Sequence, residues 1–362
     1  MQSASPSNFN FEDLTLWRTK LPEVNFAVLP ARSTRPNPVA SNDRLYVSVF
    51  SPGAVCALEL DRGKLIWRTK LPGLGGASVC LHEGKLFAKT SNVLFALDPD
   101  SGKPIWSFCP YGTEGESIYS YPSAEGDRVY IGDRGGYLHC LNCNTGSTIW
   151  RRSTSQARNA DVNSTPVLKN GLVIVSTNAR RIAAYDARSG ELAWKQKLDG
   201  TSIFGPLSEG DSIFAVSNSL YQLEVNTGEI QQRFSWKNEK VLAAEVTPQS
   251  IVVLFWPRLW TRKKQQQPKL YKLTLVERNS GLQRSLTLGG YCPCFRYVRI
   301  KRLLYLSHLS GLDLIRPREG TVFRQIKTTS DTRGGIALVD VSEDAIYVLT
   351  GDGYTYSLRH PT

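Results

Sequence analysis

Long apolar runs and catalytic signatures are both missing from this chain of 362 residues. No stretch approaches the roughly 18 apolar residues that a membrane-spanning helix requires. Residues 1–10 carry neither the basic start nor the apolar stretch of a secretory signal. Only four His are present, and no GxSxG, HExxH or P-loop motif occurs. These absences argue against a polytopic membrane protein and against the common hydrolase and nucleotide-binding classes.

Cysteine is also sparse, and its spacing is not that of a disulfide framework. The seven Cys are odd in number and no two are adjacent, a pattern typical of reduced thiols in the cytosol. Cys140 and Cys143 form a CxxC, and Cys292 and Cys294 form a CxC, so a shared zinc site is conceivable. Cys140, however, occupies a small repeat position usually filled by Ala, which favours a buried structural thiol. We therefore expect a cytoplasmic protein, the alternative being an exported one whose signal is absent from this sequence.

What the chain has in abundance is one repeated unit. A small residue ends an alternating strand, a polar turn leads to Gly, and Trp follows four residues after that Gly. The Gly permits the positive φ of a hairpin turn. The Trp can pack on a neighbouring unit, where its indole N–H needs a polar partner. The clearest copies span residues 57–67, 96–106, 140–150 and 184–194. Three later copies keep the Gly but have Gln232, Ser285 and Arg324 at the Trp position.

The period of this unit predicts the fold. The turn glycines recur 38 to 53 residues apart, at Gly63, Gly102, Gly146, Gly190, Gly228, Gly281 and Gly320. Periods of about 40 to 50 residues with several short strands indicate propeller blades. The hexapeptide WRTKLP occurs as an outer strand at 67–72 and again at 17–22, while the last copy, 345–358, ends before its outer strand. We therefore predict an all-β, eight-bladed β-propeller over residues 14–362, with residues 14–21 closing the last blade and 1–13 forming a tail.

The repeat resembles the PQQ-type repeat of quinoprotein dehydrogenases, whose pattern is A-x-D-x-x-T-G-K-x-x-W. The segment Ala96 to Trp106 matches it with Ser101 for Thr, and Ala184 to Trp194 matches nearly as well. The resemblance is strong over 14–194 and degenerate over 205–358. It extends to non-enzymatic relatives, including the lipoprotein propeller of the outer-membrane β-barrel assembly machinery. The motif is therefore specific for blade architecture and says little about activity.

The same resemblance implies what a catalytic member would need. The dehydrogenases hold PQQ between a Trp and a disulfide of two adjacent Cys, with a calcium ion and an Asp base. This sequence lacks adjacent Cys, and five of its eight Trp fill repeat positions. We therefore expect no cofactor and no enzyme activity. A PQQ-dependent or other small-ligand enzyme is kept as an alternative.

Positive charge is concentrated in one part of the chain. The net charge is +12, yet residues 258–327 hold 16 basic and 3 acidic residues, while the remainder holds 28 basic and 29 acidic. This zone covers blades six and seven and attracts acidic partners. It includes an insertion, 256–269, that combines aromatic anchors with basic side chains, a composition enriched at protein interfaces and nucleic-acid surfaces. The candidate interaction residues are Trp256, Arg258, Trp260, Arg262, Lys263 and Lys264.

A second candidate lies at the mouth of the predicted ring. Arg32, Arg35, Arg158 and Arg333 each precede an inner strand, so they could converge on a central funnel and bind an anion, although scattered loop arginines explain them as well. Taken together, the sequence predicts a non-catalytic scaffold. It would bind an acidic protein partner through its face loops and its basic patch. Nucleic-acid binding is a further alternative.

Overall fold

The structure is a computed structural model of the chain. It describes residues 7–22, 39–41, 43–49, 53–73, 75–110, 118, 120–155, 160–202, 205–237, 239, 241–255, 270–278, 280–289, 294–298, 302–308, 311–317, 319, 321–327 and 336–361. One short helix, α1 (Phe11–Leu14), occurs among these residues, and the rest of the regular structure is β-strand.

Thirty-three short strands follow one another along the described chain. In the first part they are β1 (Ser7–Asn10), β2 (Thr15–Lys20), β3 (Val39–Ala40), β4 (Arg44–Val49), β5 (Ala54–Glu59), β6 (Leu65–Lys70), β7 (Gly75–His82), β8 (Lys85–Thr90), β9 (Leu94–Leu97), β10 (Pro104–Phe108), β11 (Ser123–Glu125), β12 (Arg128–Gly132), β13 (Tyr137–Asn142), β14 (Thr148–Ser153), β15 (Val167–Lys169), β16 (Leu172–Thr177), β17 (Arg181–Asp186) and β18 (Leu192–Lys197). In the second part they are β19 (Leu207–Glu209), β20 (Ser212–Val216), β21 (Leu220–Glu224), β22 (Ile230–Phe234), β23 (Val241–Val246), β24 (Ser250–Phe255), β25 (Leu270–Glu277), β26 (Gln283–Gly289), β27 (Cys294–Val298), β28 (Leu303–His308), β29 (Gly311–Arg316), β30 (Thr321–Lys327), β31 (Ile336–Val341), β32 (Ala345–Thr350) and β33 (Tyr354–Arg359).

These strands form eight sheets, which are the eight blades of a β-propeller. Blades one to six consist of β3–β6, β7–β10, β11–β14, β15–β18, β19–β22 and β23–β26, each an antiparallel meander in chain order. Blade seven contains β27–β30, and blade eight contains β31–β33 together with β2. The predicted fold class and blade number are therefore confirmed. They follow from the repeat, because the middle strands of a blade are buried on both faces, as in β4 and β16, and each turn Gly leads into the outer strand.

The predicted closure of the last blade is also present. Strand β2 pairs antiparallel with β33, so that Trp17 lies opposite Ser357 and Lys20 opposite Tyr354. The outer strand that the last repeat lacks in sequence is thus supplied from the beginning of the chain. Pairing this edge removes a row of unpaired backbone groups that would otherwise be open to intermolecular pairing.

The segment expected to be a tail contributes a strand of its own. Strand β1 pairs in parallel with β30 and gives blade seven a fifth strand, with Phe9 opposite Ile326. Phe11 and Leu14 of the short helix are buried in a cluster with Ile326 and Tyr356. No repeat pattern marks residues 7–10, which explains why the sequence did not reveal this strand.

The chain divides into two compact units. One comprises 1–45, 58–66 and 239–362, and the other comprises 46–57 and 67–238. In the first unit, the cluster around Tyr305 and Leu314 joins the strands of blades seven and eight. In the second unit, successive clusters lie between neighbouring blades, for example around Trp150 and around Trp194. The core of each unit is therefore a series of layers between sheets.

Candidate interaction site

The repeat Trp residues fasten one blade to the turn of the next. Each indole N–H donates a hydrogen bond to the backbone carbonyl three residues before the turn Gly of the following blade. The donor–acceptor distances are 2.9 to 3.2 Å for the pairs Trp17–Leu60, Trp67–Pro99, Trp106–Cys143, Trp150–Ala187 and Trp194–Val225. The polar partner that we predicted for each indole N–H is thus a main-chain oxygen.

Each Trp ring also lies directly against the turn Gly of the next blade. A Cβ added at Gly190 would come within 2.6 Å of the Trp150 ring, and φ at Gly190 is +73°. Glycine is therefore required there both for the backbone conformation and for the approach of the ring. The residue paired with the Trp is small, because the indole covers it: Cys140 lies opposite Trp150, and Ala184 lies opposite Trp194.

In blade three, two further side chains reach the same turn and fill the space around the indole. The Tyr130 hydroxyl donates to the Ala187 carbonyl at 3.0 Å, and its ring lies 5.9 Å from that of Trp150. The Arg128 guanidinium donates to the Ala187 and Arg188 carbonyls. Trp150 is consequently only 6% exposed.

Blade six departs from this arrangement, and the departure corrects the sequence alignment. The fourth strand of blades two to five, seven and eight contains a bulge next to the Trp position, but β25 and β26 pair without one. Arg284 therefore lies opposite Leu275, in the place that Trp150 takes opposite Cys140, and Ser285 lies opposite Thr274. The expectation that Ser285 replaces the Trp was wrong by one residue. The missing bulge could not be read from the sequence.

Arginine thus replaces the Trp in both blades six and seven. Arg284 donates to the Glu319 carbonyl in the turn of blade seven at 2.9 Å. Arg324 donates to the Pro361 carbonyl at the end of blade eight, and its guanidinium lies 5.6 Å from the Phe9 ring of β1. Each Arg donates a hydrogen bond to the following blade, but the acceptor is not the carbonyl three residues before a turn Gly. The large apolar ring is lost, and in blade seven β1 with its Phe9 lies beside the substituted position.

Around Arg284 the lost ring leaves a groove of about 280 Å³. Ser250 stands where blade three has Arg128, Val252 where it has Tyr130, and Arg284 where it has Trp150, as the strand registers show. Leu282, on the rim, is 51% exposed. The groove is lined by Gln249, Ser250, Leu275, Glu277, Leu282, Arg284 and Pro317. The smaller side chains explain why a recess exists here, whereas the corresponding space in blade three is filled.

The site residues expected from the sequence lie outside the described residues. This holds for the basic insertion 256–269, with Trp256, Arg258, Trp260, Arg262, Lys263 and Lys264, and equally for Arg32, Arg35, Arg158 and Arg333 at the expected funnel. Both groups therefore stay predictions. The groove of blade six was missed because it depends on a strand register. The only signal in the sequence was the loss of Trp in the later repeats.

Four cysteines, Cys56, Cys80, Cys140 and Cys143, are buried or half-buried thiols that form no disulfide. Burial raises the pKa of the Cys56 thiol to about 12 and that of Cys140 to about 11, so both are protonated and unreactive at neutral pH.

No group of three or more His, Cys, Asp and Glu side chains in the described part of the chain could hold a metal ion. The sequence has no adjacent Cys pair. The buried His139 has a structural partner, because its ring lies 2.7 Å from the Asp133 carboxylate inside blade three. No helix among the described residues is long and apolar enough to cross a membrane.

Comparison with known proteins places these blades in a family. The sequence profile described as outer membrane protein assembly factor BamB matches residues 11–234, more than half of the chain. The chain belongs to this family. Its similarity to BamB of Legionella pneumophila is 26% identity over 213 residues, covering 55% of this chain and 52% of that protein. The chain thus spans about half the length of this relative.

A catalytic relative and a solved structure complete the comparison. Quinohemoprotein alcohol dehydrogenase ADH IIB of Pseudomonas putida is 29% identical over 148 residues, covering 36% of this chain but 21% of that enzyme. The crystal structure of BamB from Moraxella catarrhalis superimposes with a TM-score of 0.60 at 14% identity, covering 96% of this chain and 99% of that one. The predicted resemblance to PQQ-like and BamB-like propellers is confirmed. The assembly-factor relatives support a general role in protein interaction, whereas the dehydrogenase relative leaves enzyme activity open.

The comparison also overturns the expected location. The family and several of its members are outer membrane protein assembly factors, which points away from the cytoplasm, so the cytoplasmic prediction was wrong. That prediction took free cysteines as a sign of a reducing compartment. A propeller of this size buries extensive apolar layers between its blades and does not depend on disulfides, so its cysteine pattern carries little information about compartment.

Proposed function

We propose that the protein is a non-catalytic propeller that binds a protein partner in outer membrane protein assembly, using blades six and seven. The observation that carries this proposal is the coincidence of two features in one region. Blades six and seven have exchanged the packed Trp for Arg, and residues 258–327 hold 16 basic against 3 acidic residues. Concentrated positive charge accelerates encounter with an acidic partner.

The family supports the class of function. The matching family and the Legionella relative are named for the assembly of outer membrane proteins. Proteins that assist assembly act by contact, and the intact blades provide a rigid support on which contact residues can be presented. The basic insertion 256–269 then contributes Trp256, Arg258, Trp260, Arg262, Lys263 and Lys264 to the binding surface, together with loops on the propeller face.

Co-purification from native cell envelopes tests the proposal. The tagged protein is compared with a variant in which Trp260, Arg262, Lys263 and Lys264 are replaced by Ala. A matched control replaces Lys195 and Lys197 of blade four by Ala. We expect one or more defined envelope proteins to co-purify with the wild type and the control, and to be lost with the insertion variant, with retention falling as salt is raised. Equal recovery with all three proteins would overturn the role of the basic region.

A second candidate function is favoured by one finding, the similarity to a quinohemoprotein alcohol dehydrogenase. Its test is direct. The purified protein is incubated with PQQ and Ca²⁺ and assayed for a bound chromophore and for alcohol-dependent dye reduction. We expect neither, and a stoichiometric chromophore together with dye reduction would replace the scaffold proposal with an enzyme.

A further inference from the structure

We propose that the groove of blade six receives an aromatic side chain from the partner protein, and that this side chain is flanked by acidic residues. The inference deepens the proposed function and depends on it. The partner's aromatic side chain would take the position in blade six that a Trp of this chain itself takes in other blades.

The internal copies of the same place show which chemistry it accommodates. In blades one to four and blade eight it holds an indole whose N–H donates to a backbone carbonyl of the next turn. The fold thus provides a flat slot with an oxygen acceptor at its end. An aromatic ring buries a large apolar area there, while a polar edge still finds a partner.

In blade six the same place holds Arg284 in place of an indole. Arg284 extends to the Glu319 carbonyl, and Ser250 leaves open the space that Arg128 fills in blade three. The volume of about 280 Å³ lies just below the range of about 300–1,000 Å³ typical of small-molecule pockets, so it suits a single side chain. Leu275, Leu282 and Pro317 give the recess apolar walls.

The charges of the groove define what should flank the aromatic residue. Arg284 lines the recess, and its guanidinium can stack on an aromatic ring. Glu277 also lines the groove, and Arg316 is paired with Glu319 at 3.3 Å. The positive field therefore comes from the surrounding segment, which holds 16 basic and 3 acidic residues and includes Arg278 next to the groove. Acidic residues beside the anchor complement this field and raise the rate of encounter. Buried aromatic anchors contribute most of the energy in protein interfaces, which makes one slot sufficient to direct binding.

A fluorinated peptide provides the test. The probe is a capped Asp-Asp-Trp-Asp-Asp peptide that carries 5-fluorotryptophan, and ¹⁹F line broadening reports binding to the full-length protein despite its eight Trp. We expect saturable broadening with a dissociation constant below about 1 mM. Unlabelled Asp-Asp-Trp-Asp-Asp should displace the probe, and Asp-Asp-Ala-Asp-Asp should not. Absence of broadening, or equal displacement by the Ala peptide, would overturn the aromatic slot.

Variants then locate the site. The double substitution Leu275→Ala/Arg284→Trp rebuilds the pair formed by Ala184 and Trp194 in blade four, and we expect it to weaken peptide binding at least about tenfold by filling the slot. Arg284→Lys keeps the charge but removes the planar guanidinium that stacks on the ring, so binding should weaken about threefold, which is less than in the double variant. Lys195→Trp adds an exposed Trp on the outer strand of blade four as the matched control and should leave binding unchanged. Undiminished binding to the double variant would contradict the assignment.

The outcome is separable from that of the proposed function. If envelope proteins co-purify with the wild type but the peptide does not bind, the slot is wrong and the scaffold role stands. If no partner co-purifies, the proposed function itself fails. The competition experiment needs no variant, so it tests recognition of the aromatic side chain even where the double substitution does not fold.

Discussion

Blade three and blade six are built from the same four-strand unit, yet they hold the following turn in different ways. Blade three uses Trp150, Tyr130 and Arg128 together, so the turn of blade four is covered by a buried ring and several hydrogen bonds. Among the described residues of blade six, Arg284 donates to the following turn, and its side chain is exposed. The comparison shows that a hydrogen bond between neighbouring blades can be present where the packing of a Trp ring on the next turn is lost. A region freed from that packing is then available for contact with another molecule.

The largest expected effect comes from removing the Trp side chain in blade three, where its packing is complete. Trp150→Ala deletes a nearly buried indole and its hydrogen bond to Ala187, so we expect the free energy of unfolding to fall by about 3–5 kcal/mol. Arg284→Ala, at the equivalent place in blade six, should cost less than about 1 kcal/mol because the side chain is exposed. Urea unfolding followed by circular dichroism measures both. Equal losses of unfolding free energy in the two variants would contradict a difference in packing between the two blades.

Blade two keeps its repeat Trp, but it also contains a buried lysine, Lys89. Burial of this ammonium group lowers the stability of the folded chain. The Lys89 ammonium donates to the Ile118 carbonyl at 2.7 Å, and burial lowers its pKa from 10.5 to about 8. Between pH 8 and 10.5 the unfolded chain binds this proton and the folded chain does not. The contribution of Lys89 to stability therefore rises with pH across this window, by about 3 kcal/mol in all.

Lys89→Met removes that titration, so the difference in unfolding free energy between the wild type and the variant should follow this rise and be flat below pH 8. The buried thiols are present in both proteins, so their contributions cancel in this difference of unfolding free energies. Their raised pKa values act in the opposite direction, because they lower stability as the pH rises, as for Cys56 between pH 9 and about 12. A pH-independent difference would contradict the low pKa of Lys89.

The smallest of these effects separates ring contact from backbone strain. Gly190 and Gly281 occupy the same turn position with φ of +73° and +69°, but only Gly190 lies against a Trp ring. Gly281→Ala should cost about 1–2 kcal/mol through its left-handed backbone alone. Gly190→Ala should cost about 1–3 kcal/mol more, because the methyl group displaces Trp150. Thermal or urea unfolding of the two variants checks the difference, and identical losses would argue against a tight ring–glycine contact.

Much of the fold was predictable because it is repetitive. The Gly-to-Trp spacing predicted the blades, and the WRTKLP copy at 17–22 predicted the closing strand, since each reflects a local contact that recurs. Strand β1 was not predictable, because residues 7–10 carry no repeat signal and pair in parallel with a distant strand. The groove was missed because the register at Arg284 depends on a bulge that is absent from one blade. The compartment was misjudged because free thiols report redox conditions only in folds that need disulfides.

The most direct measurement of the central claim is site-specific photo-crosslinking in living cells. Benzoylphenylalanine is placed at Leu282 on the groove or at Leu192 on the outer strand of blade four, two positions that are 51% and 49% exposed. We predict a crosslink from position 282 to a defined envelope protein, at a segment rich in aromatic and acidic residues, and none to that protein from position 192. Equal crosslinking from both positions, or crosslinking from 192 alone, would contradict the claim that blade six is the binding surface.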